Sequence, residues 1–192
     1  MLQINQSIKK VLLVTVCFSL VYAAAILEGG AQSKDGIRFD AEWWKHRNSD
    51  EQQGYIYGHL DCRQTLNAAK ASIVDYQNAV TRVIKSEKKN DPHAVNKAIE
   101  RALKTLPPRD NRGAEHYGGP HGFLDGEWWE QSEKAAGQGY VEGYLDCSSP
   151  PATVEAVRRY QTAIDHYYAS DHHNHDKIAS VLRPLLKLPV NP

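Results

Sequence analysis

The chain lacks a charge of one sign. Its 192 residues carry 23 basic and 23 acidic side chains, so no basic face marks a nucleic-acid binder. It lacks a run of apolar residues long enough for a comfortable membrane span. It has no Cys-x-x-Cys pair, phosphate-cradling glycine loop, nucleophile elbow or zinc-protease helix, which removes the commoner signatures of redox, nucleotide, hydrolase and metalloprotease chemistry. No alternating apolar stretch of useful length suggests a strand. Only three cysteines occur, Cys17, Cys62 and Cys147.

What is present is a repeat. Residues 39–62 read FDAEWWKHRNSDEQQGYIYGHLDC and residues 124–147 read LDGEWWEQSEKAAGQGYVEGYLDC. The two align without a gap at an offset of 85, with eleven identities in 24 positions. Asp40, Glu42, Trp43, Trp44, Gln53, Gly54, Tyr55, Gly58, Leu60, Asp61 and Cys62 recur as Asp125, Glu127, Trp128, Trp129, Gln138, Gly139, Tyr140, Gly143, Leu145, Asp146 and Cys147. A fixed period fixes architecture before any other signal.

The first 25 residues read as a secretory signal peptide: Lys9 and Lys10, an apolar stretch from Val11 to Val21, then Ala23-Ala24-Ala25. An uncleaved anchor is the alternative. Cys17 follows Val14-Thr15-Val16, which is no lipoprotein box. Cleavage would remove two of the 23 basic residues and leave a net charge of about −2. The mature chain would keep only Cys62 and Cys147, an even count in an exported protein. A bond within the chain is the expectation. Two buried thiols in separate cores, or a bond between chains, are the alternatives.

Residues 26–37 read as a flexible leader, 38–108 as the first repeat, 109–122 as a linker rich in Pro, Gly, Asn and Asp, and 123–192 as the second repeat. Asp40 is placed to cap a short helix bearing Glu42, Trp43 and Trp44. A longer helix is expected from Asp50 to about Leu66, with Ser49 to Gln52 as its capping box. Ser72 and Asp75 open a helix whose inner face is Ile73, Tyr76, Val80, Val83 and Ile84. Asp91-Pro92 opens another, with Val95, Ala98, Ile99, Ala102, Leu103 and Leu106 inward, ended by Pro107-Pro108. In the second copy, helices are expected over about 134–147, from Thr153 with Val154, Val157, Tyr160, Ile164 and Tyr167 inward, and over about 176–187, where Pro184 bends or shortens the last one. The fold class is all-α: two tandem three-helix repeats, expected to pack about a pseudo-twofold axis.

Gly54 and Gly58 lie one turn apart and share a face with Asp61. Glycines there let another segment approach the backbone. A part-buried carboxylate beside that contact needs donors, and the indole N–H of Trp43 or Trp44 is a candidate. Asp61 and Asp146 read as structural, with a catalytic carboxylate pair as the functional alternative. Trp43, Trp44, Trp128, Trp129, Tyr55 and Tyr140 read as core or as a binding platform. His59, replaced by Tyr144 in the other copy, reads as packed. His166, His172, His173 and His175, with Asp165, Asp171 and Asp176, could ligate zinc, copper or nickel, but read as a solvated loop. No metal, cofactor or catalytic group is assigned.

The stretch GYIYGHLD at 54–61, the Val/Tyr-rich helix at 73–86 and HAVNKAIERALKTLP at 93–107 resemble the Tai-type (type VI amidase immunity) proteins, small exported helical proteins of bacteria. The resemblance covers about 50–107 and, more weakly, 135–189. This chain differs in holding two units, in a Cys after the Asp, and in its Glu-Trp-Trp lead-in. The resemblance implies a periplasmic, non-enzymatic protein that binds another protein, a peptidoglycan-cleaving amidase toxin, and occludes it. A secreted, envelope-associated module that binds a ligand or carbohydrate on its Trp-Trp faces is the alternative.

Overall fold

In each copy the chain enters through a capping aspartate. The Asp40 carboxylate accepts from the N–H groups of Glu42 and Trp43 at 3.1 and 3.0 Å and opens α1 (Ala41–Lys45). Asp125 accepts from Trp128 N–H at 3.0 Å and opens α5 (Gly126–Gln131). These side chains satisfy donors that a first helical turn leaves unbonded. The computed structural model describes residues 36–66, 71–86, 91–107, 124–148 and 152–187, apart from the side chain of Asp171. The expected signal peptide, most of the leader, the linker and Pro108 lie outside the described residues.

Helix α2 (Ser49–Cys62) starts one residue before expectation. Asn48, not Ser49, is the cap: its side chain accepts from Glu51 N–H at 2.9 Å while the Glu51 carboxylate accepts from Asn48 N–H at 3.0 Å. It also ends four residues short of Leu66. Gln64 adopts φ of 56°, and its N–H and that of Thr65 turn back to the carbonyls of Asp61 and Leu60. This double return closes a helix and satisfies its last carbonyls.

The Ser72–Asp75 capping box forms as expected and opens α3 (Ile73–Ser86). Helix α4 (Ala94–Thr105) begins later than Asp91-Pro92 suggested. The Asp91 carboxylate accepts from His93 N–H at 3.0 Å, so it caps a turn that precedes the helix. In the second copy, α6 (Lys134–Ser148) is followed by α7 (Val154–Tyr168), capped by the Thr153 hydroxyl. A single 3-10 turn at Asp171–His173 leads to α8 (Ile178–Leu186). Pro184 lies inside α8, which runs for nine residues against the twelve of α4.

The fold is all-α. Among the described residues the only strand-like pairing is an isolated bridge between Asp125 and Lys177, and no helix is long and apolar enough to cross a membrane. One expected inward residue points elsewhere, and another is only half-buried against the core. Val154 is 65% exposed, and Tyr168 rather than Tyr167 is buried. The buried stripe of α7 runs Val157, Tyr160, Ile164, Tyr168, which puts Val154 on the open first turn.

That stripe matches Ile73, Tyr76, Val80 and Ile84 of α3 at an offset of 84, not 85. The last helices match at 83: Val95 N–H bonds the carbonyl of Phe39, and Ile178 N–H that of Leu124. Each copy thus docks its lead-in on the start of its own third helix.

Helices α2 and α6 pack directly on each other. A Cβ at Gly54 would meet the Ala136 carbonyl, at Gly58 that of Tyr140, at Gly139 that of Glu51 and at Gly143 that of Tyr55. The contacts advance together along both helices, so the two run parallel, main chain against main chain. The described residues all belong to one compact unit, Asp35–Pro192. At the C-terminal ends of the pair, Cys62 and Cys147 are disulfide-bonded, with Cα atoms 6.2 Å apart. The bond within the chain is therefore the arrangement that forms.

Candidate functional site

The seam between α2 and α6 gathers the repeated polar residues. Tyr55 donates its phenol to Asp146 at 2.5 Å, and Tyr140 donates to Asp61 at 2.6 Å. Both rings are fully buried. Each carboxylate is held by the tyrosine of the other copy, and not by an indole as the sequence suggested. Burial raises the Asp61 carboxyl, and the Tyr140 hydrogen bond, Arg183 and Lys177 pull it back. Both phenols lie well above their ordinary value, first through burial and then through the facing carboxylate. They stay protonated and donate.

The tryptophans divide differently in the two copies. Trp44 is 1% exposed, and its N–H reaches the Thr81 hydroxyl at 3.0 Å. Trp43 is half-buried against Phe39 and Tyr55, under the Arg47 guanidinium 5.0 Å from its ring. In the second copy the buried member is Trp128, packed on Tyr57 and Tyr140. Trp129 is half-buried, and its N–H donates to Asp165 at 2.7 Å.

Trp129 forms one wall of an open cleft of about 550 Å³ between α5, α6 and α7, which also involves Gly137, Arg158, Gln161 and Asp165. Sequence reasoning missed this cleft. Its signal was present in the repeat: Gly137 stands where the first copy has Gln52. It also missed the ion pair between Arg47 and the buried Glu142, at 3.4 Å across the seam. Burial raises the Glu142 carboxyl, opposed by its Gln138 hydrogen bond and by Arg47.

His59 is fully buried, as its place on the Tyr55 face implied. Its Nε2 lies 3.8 Å from the Glu100 carboxylate, beyond hydrogen-bond length, while Arg63 pairs with that carboxylate at 2.9 Å. Burial lowers the imidazole from its ordinary value of 6.5. Asp146 and Glu100 pull it back up, and Arg63 pushes it further down. The folded state therefore holds the neutral ring. The stability that depends on it is present above about pH 6.5 and is lost as pH falls from there through the lowered folded value. Between about pH 7.5 and 5, wild type should lose more stability than His59→Gln in paired urea melts. The raised carboxyls of Asp61 and Glu142 act in the opposite sense in both proteins and cancel in the comparison. Parallel slopes would show that His59 is not held neutral.

The histidines near the last helix do not converge. His172 and His175 are exposed, and His173 Nδ1 lies 3.1 Å from Asp176, which also accepts from the Tyr167 phenol. Among the described residues no group of three or more His, Cys, Asp or Glu is placed to hold a metal. The fold and seam thus define an all-helical protein of two interlocked copies joined by a disulfide. No family model, curated protein or solved structure matches the chain.

Proposed function

We propose that the chain is an exported, non-enzymatic protein-binding module, and that the partner it occludes is a peptidoglycan-cleaving amidase toxin. The observation that carries the non-enzymatic part is the reciprocal Tyr55–Asp146 and Tyr140–Asp61 pairing. It ties the two carboxylates best suited to acid–base work into the join between the copies, where they serve packing. The disulfide fits an oxidising compartment such as the periplasm. The amidase partner rests on the resemblance at residues 50–107 to Tai-type immunity proteins.

The test is inhibition. Purified chain is mixed with purified peptidoglycan amidase toxins of type VI systems, and peptide release from isolated cell-wall sacculi is followed. Stoichiometric loss of amidase activity, with a 1:1 or 2:2 complex on gel filtration, is the expected result. An unaffected amidase in the presence of excess chain overturns the partner. Turnover of sacculi by the chain alone, lost in a folded Asp61→Asn or Asp146→Asn variant, overturns the non-enzymatic assignment.

A further inference from the structure

The two copies treat the space beside their second tryptophan in opposite ways. In the first copy the space is strutted. Gln52 Nε2 donates to the carbonyls of Trp44 and Arg47 at 2.8 and 3.3 Å, and Gln77 on α3 donates to Gln52 Oε1 at 2.8 Å. Trp44 beside it is 1% exposed. In the second copy the α7 counterpart of Gln77, at the offset of 84, is Gln161, which is retained. Its partner is not: Gln52 becomes Gly137. The Gln161 side chain hydrogen-bonds no other described residue and lines the cleft with Gly137 and Trp129, whose ring lies against the place where a side chain at Gly137 would start.

We infer that this cleft is a carbohydrate site, taking a neutral pyranose oligosaccharide with one ring stacked on Trp129. This goes beyond the protein-binding role and stands if that role fails. The volume of about 550 Å³ lies within the range of small-molecule sites. The indole is fixed at its N–H by Asp165, so its orientation is set before a ligand arrives. Its electron-rich face attracts the weakly positive C–H groups of a sugar ring.

The polar lining matches hydroxyl groups, which both donate and accept. Arg158 supplies donors, Asp165 acceptors, and Gln161 and Thr162 both. The charge of the walls selects among ligands. Glu130, Glu133 and Asp165 outnumber Lys134 and Arg158, which disfavours a phosphate or carboxylate ligand. The charged side chains of Glu130, Glu133, Lys134, Arg158 and Asp165 interrupt any apolar trough for a lipid or a hydrophobic helix.

The experiment uses ¹⁵N-labelled full chain, whose four tryptophans give four indole N–H signals. Cellotriose, maltotriose and the trimer of N-acetylglucosamine are titrated separately into the millimolar range, with the Trp129 signal assigned from Trp129→Phe. At least one glycan should move that signal in a saturable way. Gly137→Gln, which sets a side chain against the Trp129 ring, should weaken that binding about tenfold or more. Arg158→Ala, altered at an exposed position on α7, should weaken it as well and covers the case in which Gly137→Gln fails to fold. A Trp129 signal unmoved by all three glycans overturns the inference. So does a folded Gly137→Gln, or failing that a folded Arg158→Ala, that binds as wild type does.

Discussion

Gly58→Ala is expected to destabilise the protein by about 3 kcal/mol or more, at the upper end of what overpacking costs. The direction runs against helix propensity, since alanine is favoured over glycine by about 1 kcal/mol in a helix interior. The new methyl would meet main chain: the Tyr140 carbonyl, with Tyr144 N at 2.9 Å. A side chain in that position could turn away, but a helix backbone cannot. α2 and α6 would have to separate, loosening the reciprocal Tyr–Asp bonds along with the glycine contacts. Gly137→Ala is the matched control. There the methyl meets only the Trp129 ring, at 3.2 to 3.5 Å, a side chain that needs to shift by only a few tenths of an ångström. Urea melts of the two variants should differ by most of the Gly58 effect. A Gly58→Ala protein as stable as wild type would mean that the helices do not touch as described.

The second large effect is expected from the disulfide. Cys62→Ala with Cys147→Ala should lower the unfolding free energy by about 4.5 kcal/mol. That is the chain-entropy value for a loop closed across 85 residues. The bond ties the C-terminal ends of the same helix pair, and its loop encloses α3, α4 and everything between the copies. Wild type held in reductant should melt with the double variant. If removing the bond leaves the urea midpoint unchanged, the unfolded chain is held compact by other means and the entropy argument fails.

Much of this was legible in the sequence because it is local or repeated. Gly54 and Gly58 stood out as a pair one turn apart that recurs in both copies, and they are where the backbones meet. Asp40, Ser72 and Thr153 signalled helix starts through chemistry confined to three residues. The error at Asn48 is of the same local kind, since Asn48 and Ser49 both cap well and only the reach to Glu51 decides between them. What stayed hidden depends on how the copies sit together. The donors to Asp61 and Asp146 are tyrosines 79 and 91 residues away along the chain, and no local spacing reveals them. Which tryptophan of each pair is buried turns on the neighbouring helix, as does the exchange of Tyr167 for Tyr168. The shift from 85 to 84 to 83 between matched helices follows from connections of unequal length, and an alignment of the Trp-bearing segment alone cannot show it.

Fusing the copies into one polypeptide frees them from a rule that binds identical subunits. In a symmetric pair every substitution appears twice, so a glycine that opens a hollow on one side opens it on the other and weakens both. Here Gln52 braces its half while Gly137 lets the Trp129 ring lie against the helix in the other. The join at α2 and α6 needs matching residues and keeps them. The outer flanks need no match and have diverged. One half can therefore keep a fixed shape while the flank of its sister half changes.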